Sequence, residues 1–220
     1  MSGDAGTGRL PVPVAWVHVD EACIVVDKPS GVLSVPGRGD HLQDCMATRV
    51  QACYADALVV HRLDMATSGL LLFARGTQAQ RRLSDGFAAR EVHKRYTAVV
   101  DGAVAQDEGE ITLPLLTDWP NRPRQRVDLE CGKPSLTRYR VLARDNQQRT
   151  TRLTLTPVTG RSHQLRVHLQ ALGHPILGDT LYAPAEVQAQ ADRLLLHADA
   201  LGFAHPVSGE PLRFELPAPF

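Results

Sequence analysis

His61-Arg62-Leu63-Asp64-Met65-Ala66-Thr67-Ser68-Gly69-Leu70-Leu71-Leu72-Phe73-Ala74 joins a polar turn to an unbroken apolar run. The run over 70–74 is short and carries no charge, which predicts a buried strand. The turn sets a carboxylate immediately before that strand, and loops on rigid scaffolds are where reactive groups are usually presented. Taken alone, an aspartate in a turn is ordinarily a turn-former or a cap. His61, Asp64 and Ser68 also supply the residue types of a hydrolase triad, but triad members normally converge from distant segments.

Upstream, residues 14–27 alternate apolar and polar around Asp20-Glu21 and predict a strand pair. Lys28-Pro29-Ser30-Gly31 is a turn, and extended structure resumes over 32–35. Asp40 is placed to cap a helix reaching about Tyr54, with Leu42, Met46, Val50 and Cys53 on one stripe. Downstream, Thr77 is placed to cap a helix through about Arg90, and 96–100 is the next strand. Trp119-Pro120-Asn121-Arg122-Pro123-Arg124 is an exposed basic loop, because two prolines exclude regular structure. Residues 126–130 and 135–143 flank Cys131-Gly132-Lys133-Pro134 and predict a hairpin, with Arg138 and Arg140 on one face of its second strand. Residues 152–156 alternate as a strand. Ser162 is placed to cap a helix with Leu165, Leu169 and Leu172 on its apolar stripe, closed by Gly173. Residues 194–196 and 201–203 read as two late strands. The balance predicts an α+β fold with a mixed, largely antiparallel central sheet flanked by helices.

The 220 residues suffice for one sizeable core. No apolar stretch approaches the roughly 20 residues of a spanning helix, so no membrane partner is expected. Residues 1–15 read as a flexible leader without the pattern of a signal peptide, and 16–220 as one catalytic domain. The four cysteines form no C-x-x-C pair and read as buried free thiols in a reducing cytoplasm. The formal net charge is zero, but its distribution is uneven. Residues 122–152 hold nine Lys/Arg against three Asp/Glu, while 179–220 hold six acids against two bases. A neutral protein with a basic segment can still attract phosphate. Sequence patterns for nucleotide-phosphate loops, dinucleotides, zinc hydrolysis and the lipase-type serine elbow are missing.

The opening stretch resembles the signature of the RluA-type pseudouridine synthases, H-R-L-D-x-x-T-S-G followed by an apolar strand, at every fixed position. Val26-Asp27-Lys28-Pro29-Ser30-Gly31 resembles the family's first motif, and Lys94-Arg95-Tyr96-Thr97-Ala98 its K-x-Y-x-A motif. Gly160-Arg161-Ser162-His163-Gln164-Leu165-Arg166-Val167-His168, continued by Leu172 to Asp179, resembles G-R-x-H-Q-x-R-x-H. The motifs occur in the family's order over roughly residues 16–205. The resemblance implies a pseudouridine synthase fold with its catalytic cleft on the sheet, and isomerisation of uridine in structured RNA. It is nearest to members without an added N-terminal S4 domain. The loop 118–123 further implies two substrates, a 23S ribosomal RNA hairpin loop and the anticodon stem-loop of transfer RNAs.

The reaction breaks N1–C1′, rotates the uracil and forms C5–C1′. It is redox-neutral, so no cofactor and no metal is expected. By resemblance Asp64 is the catalytic carboxylate, Arg166 its ion-pair partner, and Tyr96 the residue that packs on the uracil. A buried anion needs such a partner. An ordinary tyrosine, with a pKa of about 10, is a poor base, so stacking is the expected role of Tyr96. Arg62 is the candidate to fill the gap left by a flipped base. His61, Arg161, Trp119, Arg122 and Arg124 join it as candidate RNA contacts, Trp119 as a stacking platform. His61, His163 and His168 read as hydrogen-bonding structural histidines rather than metal ligands. A monomer is expected, because no long apolar seam is visible. The alternative is a catalytically silent RNA-binding module of the same fold.

Overall fold

The computed structural model describes residues 13–39 and 42–220. Its elements run β1 (Ala15–Val19), β2 (Cys23–Lys28), α1 (Met46–Cys53), β3 (Ala57–Val59), β4 (Ser68–Arg75), α2 (Gly76–Ala89), β5 (His93–Asp101) and β6 (Glu108–Ile111). There follow β7 (Leu115–Thr117), β8 (Gln125–Val127), β9 (Thr137–Asp145), β10 (Thr150–Pro157), α3 (Gln164–Ala171), α4 (Ala185–Gln188), β11 (Leu196–Ala204) and β12 (Pro211–Glu215).

The run that begins at Leu70 does become a strand buried on both sides. Leu70 and Leu72 of β4 pack with Leu83 of α2, while Leu71 and Phe73 pack with Met46 and Val50 of α1. Fully burying each of these side chains is worth about 1.5–3 kcal/mol, which explains the absence of polar alternation. The central sheet has the order β1-β2-β4-β11-β5-β10-β9-β6, with β12 added to β11 and β3 to β4. Its neighbours are antiparallel except β4 and β11, which are parallel. Gly69 (φ +111°) lies at that parallel junction, where a Cβ would strike the backbone of Ala198. A second core joins Leu153 and Leu155 of β10 to Leu165 and Leu169 of α3. Tyr96 of β5 packs against both this core and the one beneath α1, so it lies between the two halves of the sheet.

Several boundaries differ from the sequence reading. The predicted cap Asp40 lies outside the described residues, and α1 starts at Met46. Cys45 caps it, its Sγ accepting from the Thr48 amide while Thr48 Oγ1 accepts from the Cys45 amide. Thr77 lies inside α2, which begins at Gly76 with no side-chain cap. Ser162 is likewise not a cap: α3 is entered through His163 in the left-handed conformation. The hairpin expected across residues 131–134 does not form. The Asp128 carboxylate collects the amides of Glu130 and Cys131 into a turn, and β8 pairs with β7, whereas β9 pairs with β10 and β6. The two late strands begin differently: β11 is one continuous strand from Leu196. Cys23 and Cys45 are buried free thiols, but Cys53 and Cys131 are exposed. Of the leader, residues 1–12 lie outside the described residues, and β1 already begins at Ala15. No helix among the described residues is long and apolar enough to cross a membrane.

Candidate active site

A cleft of about 830 Å³ opens over Tyr96, and Asp64, His163 and Arg166 line it. The turn carrying Asp64 is held by the segment that follows β2. Lys28 is 0% exposed, and its Nζ donates to the carbonyls of Pro29, Val32 and Met65 at 2.9, 2.6 and 3.0 Å. The Gly31 amide reaches Met65 O at 2.8 Å, Ser30 Oγ reaches Ala66 O at 2.7 Å, and Ser34 Oγ reaches Leu63 O at 2.7 Å. The motif Lys28-Pro29-Ser30-Gly31 is thus a clamp on the loop 61–67. Burial pushes the Lys28 ammonium down to about 7, opposed by the Asp64 charge. Its three carbonyl contacts use all three protons of the ammonium form.

Arg166 pairs with Asp64 and also with a second carboxylate, Asp179. Its Nε and Nη2 form a fork on Asp179, at 2.8 and 2.6 Å, and both residues are buried. Asp179 also accepts the amides of Leu181 and Tyr182. Nη1 alone is left for Asp64, 3.5 Å from its Oδ2, which is longer than an ordinary hydrogen bond. Gly178 (φ +71°) brings Asp179 there, at a point where a Cβ would strike the Arg193 carbonyl. Burial works against the Arg166 charge, but the Asp179 fork first, and the Asp179 and Asp64 charges after it, hold its pKa above the ordinary value. The Tyr182 ring lies 5.0 Å from the guanidinium.

Tyr96 has a phenol raised well above its usual range, by burial first and by the Asp64 charge second. A phenol so held keeps its proton at neutral pH, so even less phenolate is available as a base than in free tyrosine. Lys94, also on the cleft, has its ammonium lowered by burial.

The other candidates separate. Arg62 is exposed on the cleft and makes no ion pair or hydrogen bond among the described residues. Arg122 and Arg161 line the same cleft. Trp119 is 64% exposed on the loop joining β7 to β8, with the Arg122 guanidinium 3.9 Å over its ring. Arg124 is exposed on that loop but does not line the cleft. His61 faces the cleft, yet its Nε2 accepts from the Leu72 amide at 2.9 Å and its ring stacks on Phe87. Burial, with the Lys94 charge, lowers it to about 3, so it is a neutral anchor of the turn on β4. His168 is spent on Thr137 and the Leu113 carbonyl. The basic stretch is partly neutralised, with Arg126, Arg138 and Arg144 paired to Asp128, Glu110 and Asp107. The hydrolase triad is not assembled: Ser68 Oγ bonds Nδ1 of His197, 2.7 Å away, not His61. Sequence reasoning assigned no role to Lys28, Asp179 or Tyr182. The first two stand in quoted motifs, which were signal enough to mark them but not to say what they hold.

The profile of the RNA pseudouridylate synthase family matches residues 22–171. The chain is 52% identical over 204 residues to a protein of Pasteurella multocida (strain Pm70) named dual-specificity RNA pseudouridine synthase RluA, covering 93% of each chain. A protein of the same name from Vibrio cholerae serotype O1 is 54% identical over 207 residues, covering 93% of this chain and 84% of that one. Among solved structures, Human RNA Pseudouridylate Synthase Domain Containing 1 superposes with a TM-score of 0.79 at 28% identity, over 94% of this chain and 84% of that one.

Proposed function

The chain belongs to the RNA pseudouridylate synthase family and isomerises uridine to pseudouridine in RNA, and from that premise we propose that Asp64 is its catalytic carboxylate and that it acts on two RNAs. The observation that carries the assignment is the setting of Asp64, in a loop clamped by Lys28 and beside the spare Nη1 of Arg166. Arg166 stabilises the carboxylate as it works at the ribose or uracil. Tyr96 supports the uracil face from below. Arg62 enters the stack where the nucleotide leaves it, since its guanidinium is uncommitted among the described residues. Arg122, Arg161, Trp119 and Arg124 contact the RNA around the opening, and His61 acts only by anchoring the turn. The substrates are a hairpin loop of 23S ribosomal RNA and the anticodon stem-loop of transfer RNA. The bacterial relatives are named dual-specificity RNA pseudouridine synthases, which supports two substrates.

Residues 16–220 act as one catalytic unit in the cytoplasm, a setting supported by four free cysteines. The enzyme works as a monomer. In support, its exposed large apolar side chains include Trp16 on β1 and Leu129 and Val207 on separate turns, rather than one continuous run. The test is tritium release from both RNAs carrying 5-tritiated uridine, with wild type and Asp64→Asn. Wild type should release tritium from each RNA and the variant from neither. Release by Asp64→Asn would remove the catalytic assignment, and wild-type release from one RNA alone would remove dual specificity.

A further inference from the structure

His163 lies at the entry to α3 with φ +52°, in the left-handed region that non-glycine residues seldom occupy and where asparagine, aspartate and histidine are the commonest exceptions. That backbone points its ring into the cleft. Nε2 comes within 3.9 Å of Asp64 Oδ1, and Nδ1 lies 2.7 Å from the Tyr182 hydroxyl. The same hydroxyl accepts the amide of Gln125, at 2.8 Å, the first residue of β8.

These contacts decide which ring nitrogen carries the proton. The phenol oxygen already accepts from Gln125, and its single proton has no acceptor among the described residues other than His163 Nδ1. Tyr182 therefore donates to Nδ1. The proton of a neutral imidazole then sits on Nε2, facing Asp64. Burial pushes the phenol up to about 12, so it keeps its proton. Burial likewise lowers the imidazole, against Asp64 and Asp179 and together with Arg166, which keeps the ring neutral.

We propose that His163 is a positioning residue for the reaction, its Nε2–H closing onto Asp64 Oδ1 when RNA binds, and that the Gln125 amide and the Tyr182 hydroxyl select this tautomer. The present gap is too long for a hydrogen bond, but Asp64 is the more exposed partner, at 27% against 12%, and is the one free to turn. Hydrogen bonds of this kind are often long before substrate arrives. The carboxylate would then be held from two sides, by Arg166 on Oδ2 and by His163 on Oδ1. The chain of contacts also ties the catalytic carboxylate to the hairpin that carries Trp119 and Arg122. Contact of RNA with the hairpin thus bears on the geometry of Asp64.

The inference rests on Asp64 being the catalytic carboxylate, so Asp64→Asn is run alongside. His163→Asn is the informative variant. Asparagine tolerates the left-handed backbone and its amide can still meet Tyr182, but nothing remains at the Nε2 position. It should lower kcat roughly ten- to a hundredfold, the range for loss of a hydrogen bond to a charged group, with KM for RNA nearly unchanged. Long-range ¹H–¹⁵N spectra of the histidine rings should show His163 with its proton on Nε2, and Tyr182→Phe should convert it to a mixture of tautomers. A wild-type kcat for His163→Asn, or a proton on Nδ1 in the wild-type enzyme, would overturn the proposal. Turnover by Asp64→Asn would instead overturn the catalytic reading beneath it.

Discussion

Arg166 and Arg122 both line the cleft, and they are held in contrary ways. Arg166 is buried, forked on Asp179 and flanked by the Tyr182 ring. Arg122 lies over the Trp119 ring on an exposed hairpin loop. The floor of the cleft thus consists of charges whose partners were chosen when the chain folded, and the rim of cations still free to choose. Fixed dipoles and charges need no rearrangement as charge shifts in the reaction, which suits the floor to chemistry. A guanidinium resting on an indole is desolvated on one side only and can exchange that ring for a base or phosphate, which suits the rim to recognition.

The largest effect should come from unpairing the floor. Asp179→Ala leaves Arg166 charged and buried without its fork, a change that typically costs about 3–5 kcal/mol. Arg122→Ala should stay within about 0.5 kcal/mol, as surface substitutions usually do. Urea unfolding of the two variants decides it, and equal losses would erase the distinction between floor and rim.

An intermediate effect concerns acid. His61 is held neutral, with its pKa at about 3 against 6.5 in an open chain. Below pH 6.5 the unfolded chain takes up the proton that the folded one refuses, so stability falls as pH drops from 6.5 towards 3. One such site contributes at most about 1.4 kcal/mol per pH unit. His61→Gln keeps an acceptor for the Leu72 amide and should show a shallower fall, whereas Arg122→Ala should run parallel to wild type. Identical slopes for wild type and His61→Gln would show that His61 does not carry the acid sensitivity.

The smallest effect belongs to the rim. Arg122→Ala should weaken RNA binding several-fold and reduce the slope of log affinity against log salt by about one. Trp119→Ala should weaken binding by about 1–3 kcal/mol, with little change in that slope, because stacking is not electrostatic. A salt slope unchanged by Arg122→Ala would mean that this cation does not meet phosphate.

The Asp64 turn and β4 were legible because everything that specifies them is contiguous. An apolar run without alternation means burial on both faces, and Asp64 follows from its place in the motif. The exposed loop 119–124 was legible for a similar local reason, its two prolines. The strand pair around Asp20 was also legible, and there the Asp20 carboxylate takes the amides of Ala22 and Cys23. The entry to α3 was misread because Ser162 is a good cap by composition, while the chain enters through His163 in the left-handed region, which only a few per cent of non-glycine positions adopt and which no neighbouring residue signals. The pairing of β8 was misread because a turn-rich stretch between two alternating segments is compatible with more than one partner.

By itself the sequence determined the family, the candidate residues and the buried strand, since each is carried by neighbouring positions and their side-chain chemistry. Tertiary structure alone decided that Arg166 is forked on Asp179, that Lys28 clamps the Asp64 turn, and that Tyr182 ties the β8 hairpin to His163. The Lys28–Met65 and Gln125–Tyr182 contacts join residues 37 and 57 positions apart. The Lys28 clamp depends on the register of β2 against β4, which sets Lys28 opposite Gly69 and where a slip of one residue would turn every side chain to the opposite face.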